Sequence, residues 1–290
     1  VRSAPISTPP AGSCAGRSTT ANLRAVVVLR KRWDIGAGRE DNEREGMALR
    51  ICGRSDTGRV RSSNQDAFVC GSLSENTLFA VVCDGMGGAN GGNVASAIAI
   101  KVISDRIVDV YRDGMDGNAL RNMLDSAIAA ANVEIYDTAM ADAELRGMGT
   151  TVVALVLSDN TVHIAHVGDS RAYVLDEAGI TQVTKDHSIV QDMVEKGQLT
   201  PEEAKTHPRK HFITRALGVE ESVRSDYNEL EMPENGSLIL CTDGLTNMVE
   251  PDDIYKFVMS TRAEDVPDRL ISAANMSGGS DNITVVAVTQ

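Results

Sequence analysis

Several aspartates in this sequence share one local setting, in which an apolar, β-forming run adjoins an Asp beside Gly or a polar turn. These aspartates are Asp84, Asp169, Asp243 and Asp281. A carboxylate at the end of a buried strand is held rigidly, and an adjacent Gly lets the backbone approach an ion or a phosphate. Converging carboxylates repel one another unless cations lie between them, and Mg²⁺ or Mn²⁺ with oxygen ligands would be suitable occupants. The pattern therefore predicts a site for hard divalent cations.

One Asp-Gly pair after a strand is by itself typical of an ordinary turn, so the prediction depends on several motifs occurring together. These motifs are Arg61-x-x-Asn64-Gln65-Asp66, Asp84-Gly-Met-Gly-Gly88, Gly149-Thr-Thr151, Gly168-Asp-Ser-Arg171, Asp243-Gly244 and Gly279-Ser-Asp-Asn282. In this order and spacing they resemble the PPM family, the metal-dependent serine/threonine protein phosphatases of the type 2C group. The resemblance covers about residues 50–290, and Met86 in the second motif is similar to bacterial members.

The resemblance implies a core site for two Mn²⁺ or Mg²⁺ ions, with a third, weaker ion as in bacterial members. Asp84 resembles the aspartate that bridges both core ions, and Gly85 resembles the residue whose carbonyl binds the second ion. Asp243 and Asp281 resemble the remaining ligands of the first ion. Asp169 resembles the aspartate that holds the third ion together with Asp243.

The same resemblance implies roles for two more residues, Arg61 and Asp66. Arg61 resembles the arginine that grips the substrate phosphate, and its planar, always-charged guanidinium suits a phosphate dianion. Asp66 resembles an outer carboxylate that reaches a metal through water. Two closely spaced metals lower the pKa of a bridging water and supply hydroxide for attack on phosphorus. Gln65 stands where Glu is usual, and Met86 stands where animal members carry His, so the general acid is unassigned.

The elements that must position these residues are a mixture of strands and helices. Short β-rich runs predict strands at 78–83, 151–157, 161–167, 172–175, 237–241 and 283–288. Apolar spacing and capping residues predict helices at 94–110, 119–141, 188–196, 201–205, 251–259 and 263–275. Strands in runs with helices inserted in pairs favour an α+β fold with antiparallel sheets. The family resemblance implies a four-layer α/β/β/α sandwich, with two antiparallel sheets flanked by helix pairs.

Composition excludes some classes of partner and compartment. The 290 residues carry a formal net charge of −13, which argues against binding to nucleic acid or to an anionic membrane surface. No apolar run approaches the ~20 residues of a membrane-spanning helix. Five cysteines without a C-x-x-C pair favour a reducing compartment, so we expect a cytoplasmic protein. Cys83 and Cys241, beside two of the aspartates, are predicted to be small core residues.

The sequence also predicts a boundary near residue 46. Residues 1–46 hold 8 of the 28 basic residues but only 5 of the 41 acidic ones, and their first twenty positions show no periodicity. We predict a disordered leader over 1–46 and a catalytic domain over 47–290. Met47 leaves two interpretations open, a biological start at this residue or a genuine unstructured tail.

We predict an enzyme that hydrolyses phosphoserine and phosphothreonine in proteins, acts as a monomer and opposes a Ser/Thr kinase and its effect on shared substrates. One alternative is a pseudophosphatase that binds phosphoproteins without hydrolysing them, for which Gln65 is the only support. Another is a partner-switching phosphatase dedicated to one antagonist protein. Arg61 disfavours the second alternative, because such relatives commonly lack this arginine.

Overall fold

The computed structural model describes residues 49–88 and 91–289, in which two antiparallel sheets carry all the strands. Sheet one contains, in spatial order, β1 (Arg50–Asp56), β11 (Ile283–Thr289), β10 (Ser237–Cys241), β7 (Arg171–Asp176) and β8 (Gly179–Gln182). Sheet two contains β2 (Asp66–Ser72), β3 (Thr77–Met86), β5 (Val152–Ser158), β6 (Thr161–Val167) and β9 (Asp226–Glu231). The two-residue strand β4 (Gly149–Thr150) pairs with the end of β3.

The helices lie mainly outside the sheets or in the connections between them. They are α1 (Gly91–Val110), α2 (Gly117–Ala141), α3 (Ile189–Glu195), α4 (Pro201–Thr206), α5 (Asp243–Thr246), α6 (Pro251–Ser260) and α7 (Val266–Met276). The long pair α1 and α2 packs on the outer face of sheet two, and α6 and α7 pack on the outer face of sheet one. The layers are therefore helix, sheet, sheet, helix, as predicted.

Burial on both faces explains the unbroken apolar runs of the central strands. Along β3, Leu78, Ala80 and Val82 belong to the core between the sheets, whereas Phe79 and Val81 belong to the core beneath α1 and α2. Successive side chains of a strand point to opposite faces, so a strand covered on both sides has no polar positions. This double burial continues to Cys83, directly before Asp84, which lies two residues before the end of β3.

The strands that were not predicted from the sequence are those with polar faces or edges. The strands β1, β2 and β8 are mostly half-buried, and β9 has the charged sequence DYNELE at the edge of sheet two. Their patterns lack the apolar runs used for prediction, and pairing with a neighbouring strand determines their conformation.

The predicted helix at 263–275 is instead a 3₁₀ turn, Ala263–Asp265, followed by α7, in whose first turn Pro267 lies. The capping box predicted for α4 is confirmed, since Thr200 and Glu203 bond reciprocally. The predicted leader, 1–46, lies outside the described residues. Among the described residues, the model shows no helix that is both apolar and long enough to traverse a bilayer.

Candidate metal centre and active site

Carboxylates from both sheets meet at one end of the sandwich. In sheet two, Asp66 of β2 lies directly opposite Asp84 of β3 in the antiparallel register. From sheet one, Asp243 follows β10, Asp281 precedes β11 and Asp169 precedes β7. Burial raises the pKa of Asp84 well above its usual range, and the charges of these four neighbours raise it further. The structure thus brings together all five aspartates proposed from the sequence.

Two threonines fix the backbone of Asp84. The Asp84 N–H donates to Thr151 Oγ1 at 2.9 Å, and the Asp84 carbonyl accepts from both Thr150 Oγ1 and the Thr151 N–H, each at 2.9 Å. Thr151 Oγ1 also bonds Ser170 Oγ at 2.7 Å, next to Asp169. The sequence motif contained both threonines without revealing this role, which links two of the acidic turns through buried hydroxyls.

Gly85 occupies a place where no side chain fits. Its N–H donates to Gln65 O at 3.1 Å, and a Cβ at this position would collide with Gly92 O at the start of α1. The Gln65 side-chain amide donates a long hydrogen bond, 3.4 Å, to Gly88 O. The backbones of Gln65 and Gly92 therefore approach Gly85 too closely for any other residue, as the Gly-rich motif predicted.

Asp66 is held by one carboxylate oxygen only. Thr242 Oγ1 and Thr284 Oγ1 donate to Asp66 Oδ2 at 2.9 and 2.7 Å. Asp66 Oδ1 is buried and has no hydrogen-bond partner among the described residues. Burial raises the pKa of this carboxyl to about 7, although the two hydroxyls oppose the shift. A buried acceptor without a partner is rare in native proteins and indicates an absent ligand or water.

Arg61 lies at the rim of this cluster. Its Nη2 donates to Asp281 Oδ2 at 2.8 Å, and more than half of its side chain remains exposed. The loop that carries Arg61 is fixed by the buried amide of Asn282, which donates to Thr57 O and Ser63 O and accepts from the Gln65 N–H. The sequence did not reveal this pairing of the predicted phosphate-binding arginine with a predicted metal ligand.

Asp169 and Asp243 lie beside the segment at 186–217. The pKa of Asp169 is raised to about 8 by burial and by the charge of Asp243. Burial also raises the pKa of Asp243, while the nearby charge of His211 and a hydrogen bond from Asn247 oppose the shift. The Gly168 N–H donates to His187 Nδ1 at 3.0 Å, which ties this segment to the turn that bears Asp169.

The two cysteines beside the acidic turns are packed in the core. Cys83 and Cys241 are each fully buried. Burial raises the pKa of the Cys241 thiol to about 12, so the thiolate needed for nucleophilic attack is scarce near neutral pH.

The donor set fits hard divalent cations. It consists of carboxylates and a backbone carbonyl, the oxygen ligands that Mg²⁺ and Mn²⁺ prefer. Directly opposed like charges on paired strands, such as Asp66 and Asp84, destabilise a sheet unless a cation compensates. Within residues 49–88 and 91–289, no three His, Cys, Asp or Glu side chains are arranged so that they could hold a metal ion by themselves. Ions here would therefore draw on the carbonyl and on water as well.

The raised carboxyl pKa values predict how the metal-free protein responds to pH. A carboxyl whose pKa is higher in the folded state binds more protons when folded, so its contribution to stability falls as pH rises above ~4 and up to the folded pKa. For Asp66 and Asp169 that upper limit is about 7 and about 8. When a chelator keeps the protein metal-free, we expect the free energy of unfolding to be lower at pH 8 than at pH 7, by about 1 kcal/mol.

Urea denaturation at the two pH values measures this change. This interval from pH 7 to pH 8 lies above the pH range in which the buried His163, His166 and His187 titrate. Because their pKa values are lowered, these histidines make the free energy of unfolding rise with pH, but only below about pH 6.5. Asp169→Asn is the control, because it should flatten the dependence. Stability that rises from pH 7 to pH 8 would contradict the prediction.

Comparison with known proteins assigns the family. The model of the family described as protein phosphatase 2C matches residues 53–272. The chain belongs to the protein phosphatase 2C family. A serine/threonine phosphatase, stp, from Listeria monocytogenes is 38% identical over 236 residues, which are 81% of this chain and 93% of that protein.

Solved structures of protein phosphatase 2C relatives have the same fold. The S. agalactiae serine/threonine phosphatase superposes with a TM-score of 0.78 at 33% identity, covering 83% of this chain and 99% of the other. The catalytic domain of PstP, solved with two manganese ions, gives a TM-score of 0.72 at 35% identity and covers 83% and 97%. This protein phosphatase 2C member is a protein serine/threonine phosphatase that acts on phosphorylated proteins, and the pseudophosphatase alternative is not supported.

Proposed function

We propose that the acidic end of the sandwich is the catalytic centre and that it binds two Mn²⁺ or Mg²⁺ ions. Asp84 and the carbonyl of Gly85 would hold the ions together with Asp243 and Asp281, and Asp66 would reach them through water. The observation that carries the proposal is the convergence of charges on Asp84, combined with the unpartnered Oδ1 of Asp66. Asp169 and Asp243 would hold a third ion.

When bound, such ions supply activation of water for attack on phosphorus. The protein's own contribution is to hold the carboxylates in place. Thr150 and Thr151 fix the Asp84 backbone, while Thr242 and Thr284 hold Oδ2 of Asp66 and leave its Oδ1 available to a ligand or water. These hydroxyls are buried and already bonded, so the carboxylates need little reorganisation when substrate arrives.

Arg61 would bind the phosphate of the substrate. Its guanidinium uses Nη2 for Asp281 and is half exposed, which leaves other N–H groups for phosphate oxygens. The pairing with Asp281 places this positive charge beside the metal ligands. Arg61 would thereby orient the phosphorus toward the ions, in a site whose own side chains are otherwise mostly acidic.

We further propose the setting in which the enzyme works. The catalytic domain would span residues 47–290, act as a monomer and oppose a Ser/Thr kinase on shared substrates. Free Cys52, Cys70, Cys83 and Cys241 support a reducing compartment, the cytoplasm. Hydrolysis of a phosphothreonine peptide by the full chain, measured as phosphate release with Mn²⁺ or Mg²⁺, tests the activity directly.

Replacing Arg61 tests its role in phosphate binding. Arg61→Ala removes a charge-assisted hydrogen bond to phosphate worth roughly 1.5–3 kcal/mol, so we expect kcat/KM to fall about 10- to 100-fold. The loss should appear chiefly in KM, because the phosphate is charged before the reaction begins. Arg61→Lys should recover part of the loss, since it keeps the charge without the planar fork.

Arg59→Ala is the matched control on the same loop. Arg59 Nε donates to Asn275 O at 3.1 Å and not to one of the five aspartates. We expect this variant to keep a KM within about twofold of the wild type. A KM unchanged by Arg61→Ala would remove Arg61 from the phosphate site.

A further inference from the structure

A cavity of about 480 Å³ opens beside the acidic cluster. It is lined by Met86 and by residues 213–216, 219–220 and 222–224. None of these residues belongs to the proposed metal or phosphate site. The cavity is large enough for an amino-acid side chain together with part of the peptide that carries it.

Met86 places the cavity next to the reacting phosphate. Asp84 and Met86 are two residues apart on β3, so their side chains leave the same face of the strand about 7 Å apart along it. An extended substrate peptide has the same rise per residue. When the phosphorylated residue is at the metal centre, the residues one to three positions away along the substrate therefore reach the cavity.

A glycine keeps this cavity open. Gly149 pairs with Met86 in the short strand β4, and a Cβ at Gly149 would lie 2.8 Å from Met86 Cε and 2.9 Å from Val219 Cγ2. The absence of a side chain lets Met86 and Val219 lie across β4 and form an apolar wall. Val219 is half exposed, so this wall faces solvent.

The cavity is also lined by two arginines, Arg215 and Arg224, that differ in their bonding. Arg215 is committed, because its Nη1 donates to Asp226 Oδ1 and to Arg224 O, at 2.8 and 2.9 Å. Arg224 is exposed, and its guanidinium makes no ion pair or hydrogen bond with any described residue. Glu220 is the acidic residue among those lining the cavity. One positive charge without a side-chain partner thus lines a cavity that also has an apolar part, in a protein with a net charge of −13.

We propose that this cavity is a specificity subsite that binds an acidic side chain flanking the phosphorylated residue of the substrate, with Arg224 as its partner. The aliphatic stem of a glutamate fits against Met86 and Val219, and its carboxylate pairs with Arg224. Glu220, which also lines the cavity, limits the subsite to one carboxylate and disfavours a longer acidic tract. The proposal rests on the phosphatase activity described above, which it deepens by naming a substrate class.

The test uses the full chain with Mn²⁺ and two phosphothreonine peptides that differ only in carrying Glu or Lys at the flanking positions. We expect the wild type to prefer the Glu peptide by about tenfold in kcat/KM, through KM. Arg224→Glu should invert the preference toward the Lys peptide. The variant should fold, because Arg224 is exposed and its backbone carbonyl, which the substitution keeps, is the group that accepts a hydrogen bond from Arg215.

Arg106→Glu is the matched control, since Arg106 is an exposed arginine on α1, far along the chain from the cavity. It should keep the wild-type preference. Hydrolysis of p-nitrophenyl phosphate, which has no flanking residues, normalises each variant for the integrity of the metal centre. Equal kcat/KM for the two peptides, or a preference that Arg224→Glu leaves unchanged, overturns the subsite. Failure of the wild type on every substrate would instead overturn the activity itself.

Discussion

Replacing Asp84 by Asn should lower kcat on a phosphothreonine peptide by about three orders of magnitude. Asp84 lies where the charges of the other four aspartates converge, so in the proposed site its carboxylate would contribute most to holding the cations. Asparagine keeps the size of the side chain and the backbone bonds to Thr150 and Thr151, but it removes the negative charge. The loss should therefore appear in turnover, with little change in KM for the peptide.

The same variant gives a readout that does not depend on activity. Without metal, Asp84→Asn removes one of several mutually repelling carboxylates, so we expect the variant to melt at a higher temperature than the wild type in chelator. Asp105→Asn, on the exposed face of α1, is the control and should change neither quantity. A variant that retains more than a tenth of wild-type kcat would show that Asp84 is not central to catalysis.

Removing divalent cations should abolish turnover, by more than about 100-fold in excess EDTA, and adding Mn²⁺ should restore it. Binding of ions to the folded protein alone should also stabilise it, by about 2.7 kcal/mol at a free concentration 100 times Kd. For a domain of this size that is a rise of several degrees in Tm. Part of this stabilisation is the relief of repulsion between Asp66 and Asp84 on their paired strands.

Activity and thermal melting measured in EDTA, and after titration with Mn²⁺, test both halves of this expectation. Asp84→Asn is the control for the rise in Tm. Adding Mn²⁺ to this variant should raise its Tm much less than that of the wild type. Full turnover in excess EDTA would exclude a metal-dependent mechanism for this chain. An unchanged Tm on adding Mn²⁺ would show that the ions do not bind the folded protein tightly.

The sequence predicted the structure best where a local residue pattern reflects a single physical constraint, such as burial. The run 78–83 predicted a strand because both of its faces are buried, and the Asp and Gly residues after such runs predicted the acidic cluster. The strand β9 was missed because its charged sequence acquires its conformation only from pairing with β6 at the sheet edge. Local pattern carries no information about a partner more than fifty residues away.

The same limit applies to the site. Asp84 and Asp281 could be singled out by their turns, but the bond between Arg61 and Asp281 joins residues 220 positions apart. The role of Thr242 and Thr284 as donors to Asp66 likewise depends on the packing of one sheet on the other. Residue types identified the chemistry, whereas the three-dimensional arrangement identified the residues that hold it in place.

The position of β11 has a consequence for how the enzyme is made. This strand lies between β1 and β10, pairing Arg50 with Thr289 on one side and Ser237 with Thr289 on the other. During synthesis, β1 and β10 emerge from the ribosome before their shared neighbour exists, and Asp281 emerges just ahead of it. Sheet one and the acidic cluster are therefore completed together, in one late and long-range step. A nascent chain that stops short of residue 283 lacks this strand, so premature termination should not release a partly active phosphatase into the cell.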